Sequence, residues 1–139
     1  MNPKVEQVIR ARAGRVLRAR AHALRAEVYG VLEEAKVGRG RTYSVTVRGI
    51  RRTHTASAPG DPPARLTGRL MESVRVTLLD LDNLVAHVGP DPSRFRGTGY
   101  YPAFLEFGTR TIAPRPFMRT AADRFKRAIS EGGRPSDAP

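Results

Sequence analysis

A helical repeat at the start of the chain constrains the fold more than any other feature. Between Pro3 and about Ala35, apolar residues recur at intervals of three and four, the spacing of one α-helical face. Proline is tolerated in a first turn, and Gly38 and Gly40 mark the end. The sequence therefore predicts one long amphipathic helix, whose apolar residues are Val5, Val8, Ile9, Ala13, Val16, Leu17, Leu24, Val28, Val31 and Leu32.

The opposite face of this helix is basic, with few acidic residues to balance it. Such a row is either a solvated face or a contact surface for a negatively charged partner, and the sequence leaves both interpretations open. The residues in question are Arg10, Arg12, Arg15, Arg18, Arg20 and Arg25.

Strand and loop patterns follow this helix. Residues 43–48, YSVTVR, alternate and are rich in β-branched side chains, which predicts a strand. Residues 51–70 have the composition of a loop, because their prolines and glycine fit neither a helix interior nor a central strand. A loop of that length in a small domain is usually functional or ordered only by a partner. Thr67 is placed to cap a short helix that ends at Ser73.

The second half of the chain predicts a hairpin and two helices. Residues 74–79 and 84–88 are strand-like runs joined by the polar turn DLDN, and Gly89 and Pro90 end the second run. Residues 102–107 predict a short helix ended by Gly108, and residues 117–129 a last helix. We therefore expect one α+β domain over residues 1–130, in which a long N-terminal helix and a C-terminal helix pack on a small antiparallel sheet with a long Pro-rich loop. Residues 131–139 have the composition of a disordered tail.

The charge balance indicates an acidic partner. The chain has 25 lysines and arginines against 13 acidic residues, a net charge of +12, and only Lys4, Lys36 and Lys126 are lysines. A charge of this size attracts nucleic acid, an anionic membrane or an acidic protein surface. The absence of cysteine removes disulfides and thiolate sites and fits a reducing cytoplasm. No window approaches the roughly 20 apolar residues of a membrane span, so we expect no membrane partner.

The sequence contains no recognisable motif for catalysis or metal binding. His22, His54 and His87 are predicted in a helix, a loop and a strand, without the spacing of a zinc site. Asp80 and Asp82 are better explained by the turn that they occupy. We therefore expect no metal, no cofactor and no enzymatic activity. A small nuclease would need folding to gather a carboxylate cluster from Asp61, Glu72, Asp80, Asp82 and Glu106.

The most unusual stretch is YYPAFLEFGTRTIAPRPFMRTAAD, residues 100–123. Its aromatic residues either pack in a core or lie at an interface, where large rings dominate binding energy. Glu106 stands between Leu105 and Phe107, and a buried carboxylate needs a partner. Arg110, Arg115 or an arginine of another chain are the candidates.

This stretch resembles the tail-completion, or head-tail joining, neck proteins of tailed bacteriophages. In that family the C-terminal half reads as tyrosine, glutamate, an aromatic residue, glycine-threonine, a proline-rich approach, "PF" and a closing helix, an order found in YPAFLEFGTRTIAPRPFMRTAAD. The upstream SAPGDPPARLTGRLMESVRV is similar to the family's second hallmark, a proline-glycine loop followed by threonine-glycine-arginine-leucine and a serine. The resemblance runs from about residue 3 to residue 130.

The resemblance implies a structural virion protein that is made in the host cytoplasm and resides in the neck. Such proteins form a homo-oligomeric ring, commonly a hexamer, between the head connector or adaptor and the tail terminator or tail tube. The Pro-rich loop, residues 58–66, would then be ordered against a neighbouring subunit, and Glu106 would set the register of the ring through an arginine. The implied interface residues are Pro59, Pro62, Pro63, Arg65, Tyr100, Tyr101, Phe104, Glu106, Phe107, Arg115 and Phe117.

Two roles remain open for the arginines of the first helix under this resemblance. They would meet an acidic protein surface or make nonspecific contacts with packaged DNA. The alternative function is a sequence-nonspecific nucleic-acid-binding protein, for which charge is the only support, because no helix-turn-helix, zinc finger or RNP-like strand is legible.

Overall fold

The long N-terminal helix is confirmed. The computed structural model describes residues 2–97 and 101–132, and helix α1 runs over Pro3–Glu34. Asn2 caps its start, because the Asn2 Oδ1 accepts a hydrogen bond from the Lys4 N–H at 2.9 Å. The N–H of Ala35 donates to the Val31 carbonyl at 3.2 Å and closes the other end.

Two antiparallel hairpins form two separate two-stranded sheets. Strand β1 (Thr42–Val47) pairs with β2 (Ile50–Thr55), and β3 (Val74–Asp80) pairs with β4 (Val85–Pro90). The Asp80 carboxylate accepts from the backbone N–H of Asp82 and from the backbone and side-chain amides of Asn83. These bonds, led by that of the Asn83 side chain, lower the pKa of Asp80. The prediction that Asp80 serves the turn is confirmed.

Strand β2 corrects the sequence prediction, which treated residues 51–70 as loop. Residues 51–55 are paired with β1, and His54 lies on a strand with its ring 5.5 Å from that of Tyr43. The connection is the two-residue turn Arg48-Gly49, with φ of 50° and 78°. Positive φ at both positions is typical of a hairpin turn, but asparagine or aspartate usually precedes the glycine. Because Arg48 occupies the first turn position, the sequence lacks the usual signature of a two-residue hairpin turn.

Among the described residues, three shorter helices follow as predicted: α2 (Arg69–Ser73), α3 (Tyr101–Phe107) and α4 (Met118–Ser130). A 3₁₀ turn over Pro92–Phe95 precedes α3. The Thr67 hydroxyl accepts from the Arg69 N–H at 3.3 Å at the start of α2. Strand β4 continues through Gly89 and Pro90, which were expected to end it. Of the predicted tail, residues 133–139 lie outside the described residues.

The core forms where α1 meets α4 and the β3–β4 hairpin. Strands β1 and β2 chiefly contact each other. The α+β architecture with a long N-terminal helix and a C-terminal helix is confirmed, and two small antiparallel sheets stand where one was expected. The buried cluster consists of Val28, Val31, Leu32, Val74, Leu105, Phe117 and Ala121.

The first half of α1 extends away from this core. Val5, Val8 and Ile9 belong to the apolar repeat but are 49%, 67% and 55% exposed. Near this end, α1 contacts the β3–β4 turn, where the Arg10 Nη1 donates to the Asp82 carbonyl at 2.9 Å. Periodicity shows which residues share a helical face, but it does not show how far a domain extends beneath that face.

We predict that Val28→Ala lowers the free energy of unfolding by about 2 kcal/mol, because it removes two buried methyl groups and leaves a cavity. Val28 is fully buried. The same substitution at Val8, on the exposed half of the same helix, should change stability by less than about 0.5 kcal/mol. Urea denaturation of both variants measures the difference. Equal losses would contradict this placement of the core.

Candidate functional site

A tight chain reversal after α3 positions the site. Gly108 ends the helix with a φ of 75°, and a Cβ there would lie 2.8 Å from the Ile112 carbonyl oxygen, so only glycine fits. The Thr109 hydroxyl accepts from the Ile112 N–H at 3.1 Å and holds the turn. The returning chain then bonds to α3, because the Arg115 N–H donates to the Leu105 carbonyl at 2.6 Å.

Glu106 occupies the closed end of this reversal. Its side chain is 8% exposed, and one carboxylate oxygen, Oε2, accepts from the N–H groups of Phe117 and Met118 at 2.9 and 3.0 Å. The other oxygen, Oε1, accepts from the Arg119 N–H at 2.9 Å. Phe117, at the N-cap position of α4, offers no side-chain oxygen, so Glu106 caps the helix from another element. Its negative charge also lies at the positive end of the α4 dipole.

Within the described chain, the expected partners Arg110 and Arg115 do not pair with Glu106, so these two predictions are wrong. The Arg115 Nη2 donates instead to the Ser57 carbonyl at 3.4 Å, and Arg110 is exposed. Three backbone N–H groups satisfy the carboxylate, and the pairing of Glu106 with an arginine of another subunit stays a prediction. The need for a partner was correct, because a buried carboxylate without one is costly.

The aromatic residues of the segment divide between core and surface. Phe117 is 1% exposed and belongs to the core, so its placement at an interface is wrong. Tyr101, Phe104 and Phe107 are 47%, 48% and 68% exposed. They are spaced three apart, so that each neighbours the next along α3, and together they are here named the aromatic face. Tyr100 lies outside the described residues.

The Pro-rich loop is ordered within its own chain, whereas the resemblance implies ordering against a neighbouring subunit. The Gly60 N–H donates to the Pro114 carbonyl at 3.0 Å, and the Arg65 N–H donates to the Lys36 carbonyl at 3.2 Å. The Arg65 guanidinium also pairs with Glu33 at 2.9 Å. Pro63 is buried, Pro62 half-buried and Pro59 exposed.

A cavity of about 260 Å³ joins this loop to the aromatic face. Pro63, Arg65 and Leu66 line one side, and Tyr101 lines another. The fold thus brings the two predicted interface segments together. Burial, with a smaller contribution from Tyr43, raises the pKa of Tyr101, so its phenol stays protonated and can donate a hydrogen bond.

Two further residues that shape this cavity carry no recognisable signal in the sequence. The Arg69 guanidinium lies over the Phe95 ring, 5.2 Å from its centroid, and both residues line the cavity. Cation–π contacts of this kind hold an arginine in place. The only signal in the sequence was a single phenylalanine between two arginines in an otherwise polar loop, which does not identify its partner.

The arginines of α1 fall into two groups, those that contact the rest of the fold and those that are exposed. Arg25 serves the fold, because its Nε donates to the Val74 carbonyl at 3.0 Å and its guanidinium lies 4.8 Å from the Tyr29 ring centroid. Arg10 bonds to the β3–β4 turn. The exposed remainder makes no ion pair or side-chain hydrogen bond within the described part of the chain, and it consists of Arg12, Arg15, Arg18 and Arg20.

The carboxylates that a nuclease would need are not gathered. Among residues 2–97 and 101–132, no group of three or more histidine or acidic side chains could hold a metal ion. Glu106 and Asp80 are occupied by backbone amides. In the same part of the chain, no helix is long and apolar enough to cross a membrane.

Comparisons of the chain with protein-family models, with curated proteins and with solved structures find no match.

We predict that Glu106→Ala lowers the free energy of unfolding by about 3 kcal/mol, because it leaves three N–H groups of α4 without their acceptor. Glu34→Ala is the matched control, since it removes an exposed carboxylate paired with Arg124 and should cost less than about 1 kcal/mol. Urea denaturation followed by far-UV circular dichroism measures both losses. Equal stability of the two variants would show that the cap contributes nothing to α4.

Proposed function

We propose that this protein is a structural component of a phage neck, which completes the tail or joins head to tail as a homo-oligomeric ring. The aromatic face of α3 is the observation that carries the proposal. Large aromatic side chains exposed at neighbouring positions of one helix are uncommon on monomers, and such groups are typical of surfaces that bind other proteins. The aromatic face lies beside the Pro-rich loop, so the two segments that carry the family resemblance are neighbours in the fold.

The division of residues 101–123 between core and surface favours a role in assembly over a role in catalysis. Glu106 and Phe117 hold α3 and α4 together, which leaves Tyr101, Phe104 and Phe107 fixed on an anchored helix. Rigid aromatic side chains lose little conformational entropy when they are buried by a partner. The proposed partners are further copies of this chain, a head connector or adaptor on one side, and a tail terminator or tail tube on the other.

The exposed arginines of α1 suit an acidic surface of such a partner. They carry four positive charges at exposed positions of α1 that precede the main buried cluster, which begins at Val28. Charge complementarity across an interface speeds association and selects partners. A ring through which DNA must pass gains nothing from tight binding in its channel, so these arginines face protein in the proposed assembly.

The same four arginines are the observation that favours the second candidate, sequence-nonspecific nucleic-acid binding. That function requires affinity for duplex DNA that falls with salt, with a log–log slope of about −0.9 for each phosphate contacted. A double variant, Arg12→Gln with Arg15→Gln, would weaken it. The matched control is Arg51→Gln with Arg52→Gln on β2, which removes the same amount of charge from another element.

We predict that Phe104→Ser with Phe107→Ser weakens self-association or binding to the connector about 30-fold or more, because buried interface aromatics contribute most of the binding energy. Fold stability should be nearly unchanged, since both rings are exposed. Val37→Ser, which alters a 75% exposed residue elsewhere, is the control.

The measurement is the mass of the protein in solution at moderate and high salt, with and without duplex DNA and purified connector. A ring, or a monomer that joins the connector and ignores DNA, supports the proposal. A monomer or dimer that binds DNA tightly at low salt and releases it at high salt would replace it with the second candidate.

A further inference from the structure

Arg115 is half-buried and has no carboxylate partner. Its Nη2 donates to the Ser57 carbonyl at 3.4 Å, which is a long hydrogen bond, and its Nε is buried without an acceptor in the described part of the chain. The ion pairs among the described residues do not include it. A guanidinium that is partly removed from water is normally neutralised by a carboxylate, because its desolvation is costly. The fold therefore leaves the charge of Arg115 without a neutralising group.

Three hydroxyl-bearing side chains lie near this guanidinium. Ser57 is 5% exposed, and its Oγ is buried without a hydrogen-bond partner among the described residues. Burial raises the pKa of the Tyr101 phenol, Tyr43 adds to this rise, and the charge of Arg115 opposes it, so the three side chains are close to one another. Tyr43 and Tyr101 are 44% and 47% exposed, which places the group at the surface. Together, Tyr43, Ser57, Tyr101 and Arg115 are here named the Arg115 cluster.

The Arg115 cluster has the chemistry of an anion site. A guanidinium only donates hydrogen bonds, and serine and protonated tyrosine hydroxyls can donate as well. The complementary ligand is a negatively charged group that only accepts, either a carboxylate or a phosphate. Tyr101 belongs to the aromatic face, whose neighbours Phe104 and Phe107 suit an apolar protein surface better than the charged backbone of duplex DNA. This position favours the carboxylate of a protein.

The same chain carries carboxylates that could fill such a site on another copy. Four exposed acidic side chains make no ion pair and no side-chain hydrogen bond within residues 2–97 and 101–132. They lie on α2, on the β3–β4 turn and along α4 and its end, away from the chain reversal that carries Arg115 in sequence. These residues are Glu72, Asp82, Asp123 and Glu131.

We propose that the Arg115 cluster binds an exposed carboxylate of a neighbouring copy, and that this pair forms part of the contact between subunits. Two different surfaces meet at such a contact, which makes it heterologous, and heterologous contacts close into rings when the rotation between copies allows it. A carboxylate held by an arginine and hydroxyl groups also fixes the orientation of the partner. This inference rests on the proposed function, for which it names the group that each subunit recognises.

The first test compares Arg115→Gln with Arg110→Gln, which removes an exposed arginine from the same chain reversal. We expect Arg115→Gln to weaken self-association about tenfold or more and Arg110→Gln to leave it unchanged. Sedimentation velocity measures both, and a free protein that stays monomeric is measured as it assembles on purified connector. The urea midpoint of Arg115→Gln should stay close to that of the unmodified chain, because the guanidinium makes only one long hydrogen bond. A purely structural arginine would lower that midpoint.

A double-mutant cycle identifies the carboxylate. Of the single variants Glu72→Gln, Asp82→Asn, Asp123→Asn and Glu131→Gln, one should weaken association as much as Arg115→Gln does. Combining that variant with Arg115→Gln should cause no further loss, because both substitutions break the same pair. Mixing copies that carry only Arg115→Gln with copies that lack only the carboxylate should give dimers and no ring, since one intact contact remains between the two kinds of copy.

The outcomes separate this inference from the proposed function. Equal association of Arg115→Gln and Arg110→Gln overturns the inference and leaves the neck proposal standing. A loss with Arg115→Gln that none of the four carboxylate variants reproduces overturns the neighbouring copy as the source of the carboxylate. A loss of salt-sensitive DNA binding in place of self-association would make phosphate the ligand and would also overturn it. A ring that closes through Arg115 but never joins head to tail would support the inference and contradict the neck function.

Discussion

The rest of the structure depends on one interaction, between the Glu106 carboxylate and the N-terminus of α4. Three N–H groups that a helix cannot satisfy by itself donate to this one side chain from another helix. The bond fixes α4 relative to α3 and so places Phe117 among the core residues of α1 and β3. The reversal at Gly108 returns the chain to α3, where the Arg115 N–H donates to the Leu105 carbonyl.

The placement of Glu106 decides what the surface can do. Because the Glu106 carboxylate points inward to the N-terminus of α4, the exposed side chains of α3 are the aromatic residues Tyr101, Phe104 and Phe107, and Tyr101 lies next to the Pro-rich loop. The arginines expected to pair with Glu106 are released for other contacts, and Arg115 bonds to the loop at Ser57. The surfaces proposed for assembly are therefore side-chain surfaces, the exposed arginines of α1 and the aromatic face of α3.

Local sequence patterns predicted most of the helices and strands of this fold, but they did not predict contacts between residues that are far apart in the chain. Helices α1, α3 and α4 and the β3–β4 hairpin follow from periodicity and turn residues that lie within a few positions of one another. Strand β2 was missed because its turn places an arginine where the hairpin signal expects asparagine or aspartate. The partner of Glu106 was missed for a deeper reason. It is backbone, which every residue carries, so no side chain in the sequence identifies it.

By itself, the sequence determined the order and type of most elements, the excess of positive charge and the need of Glu106 for a partner, since these depend on local composition and on the cost of burying charge. Only the tertiary structure decided which equivalent residues are buried. Phe117 lies in the core and Phe107 on the surface, and Val28 is buried while Val8 on the same helix is exposed. Burial depends on which elements meet across long sequence separations, and the chemical identity of a side chain does not specify its neighbours.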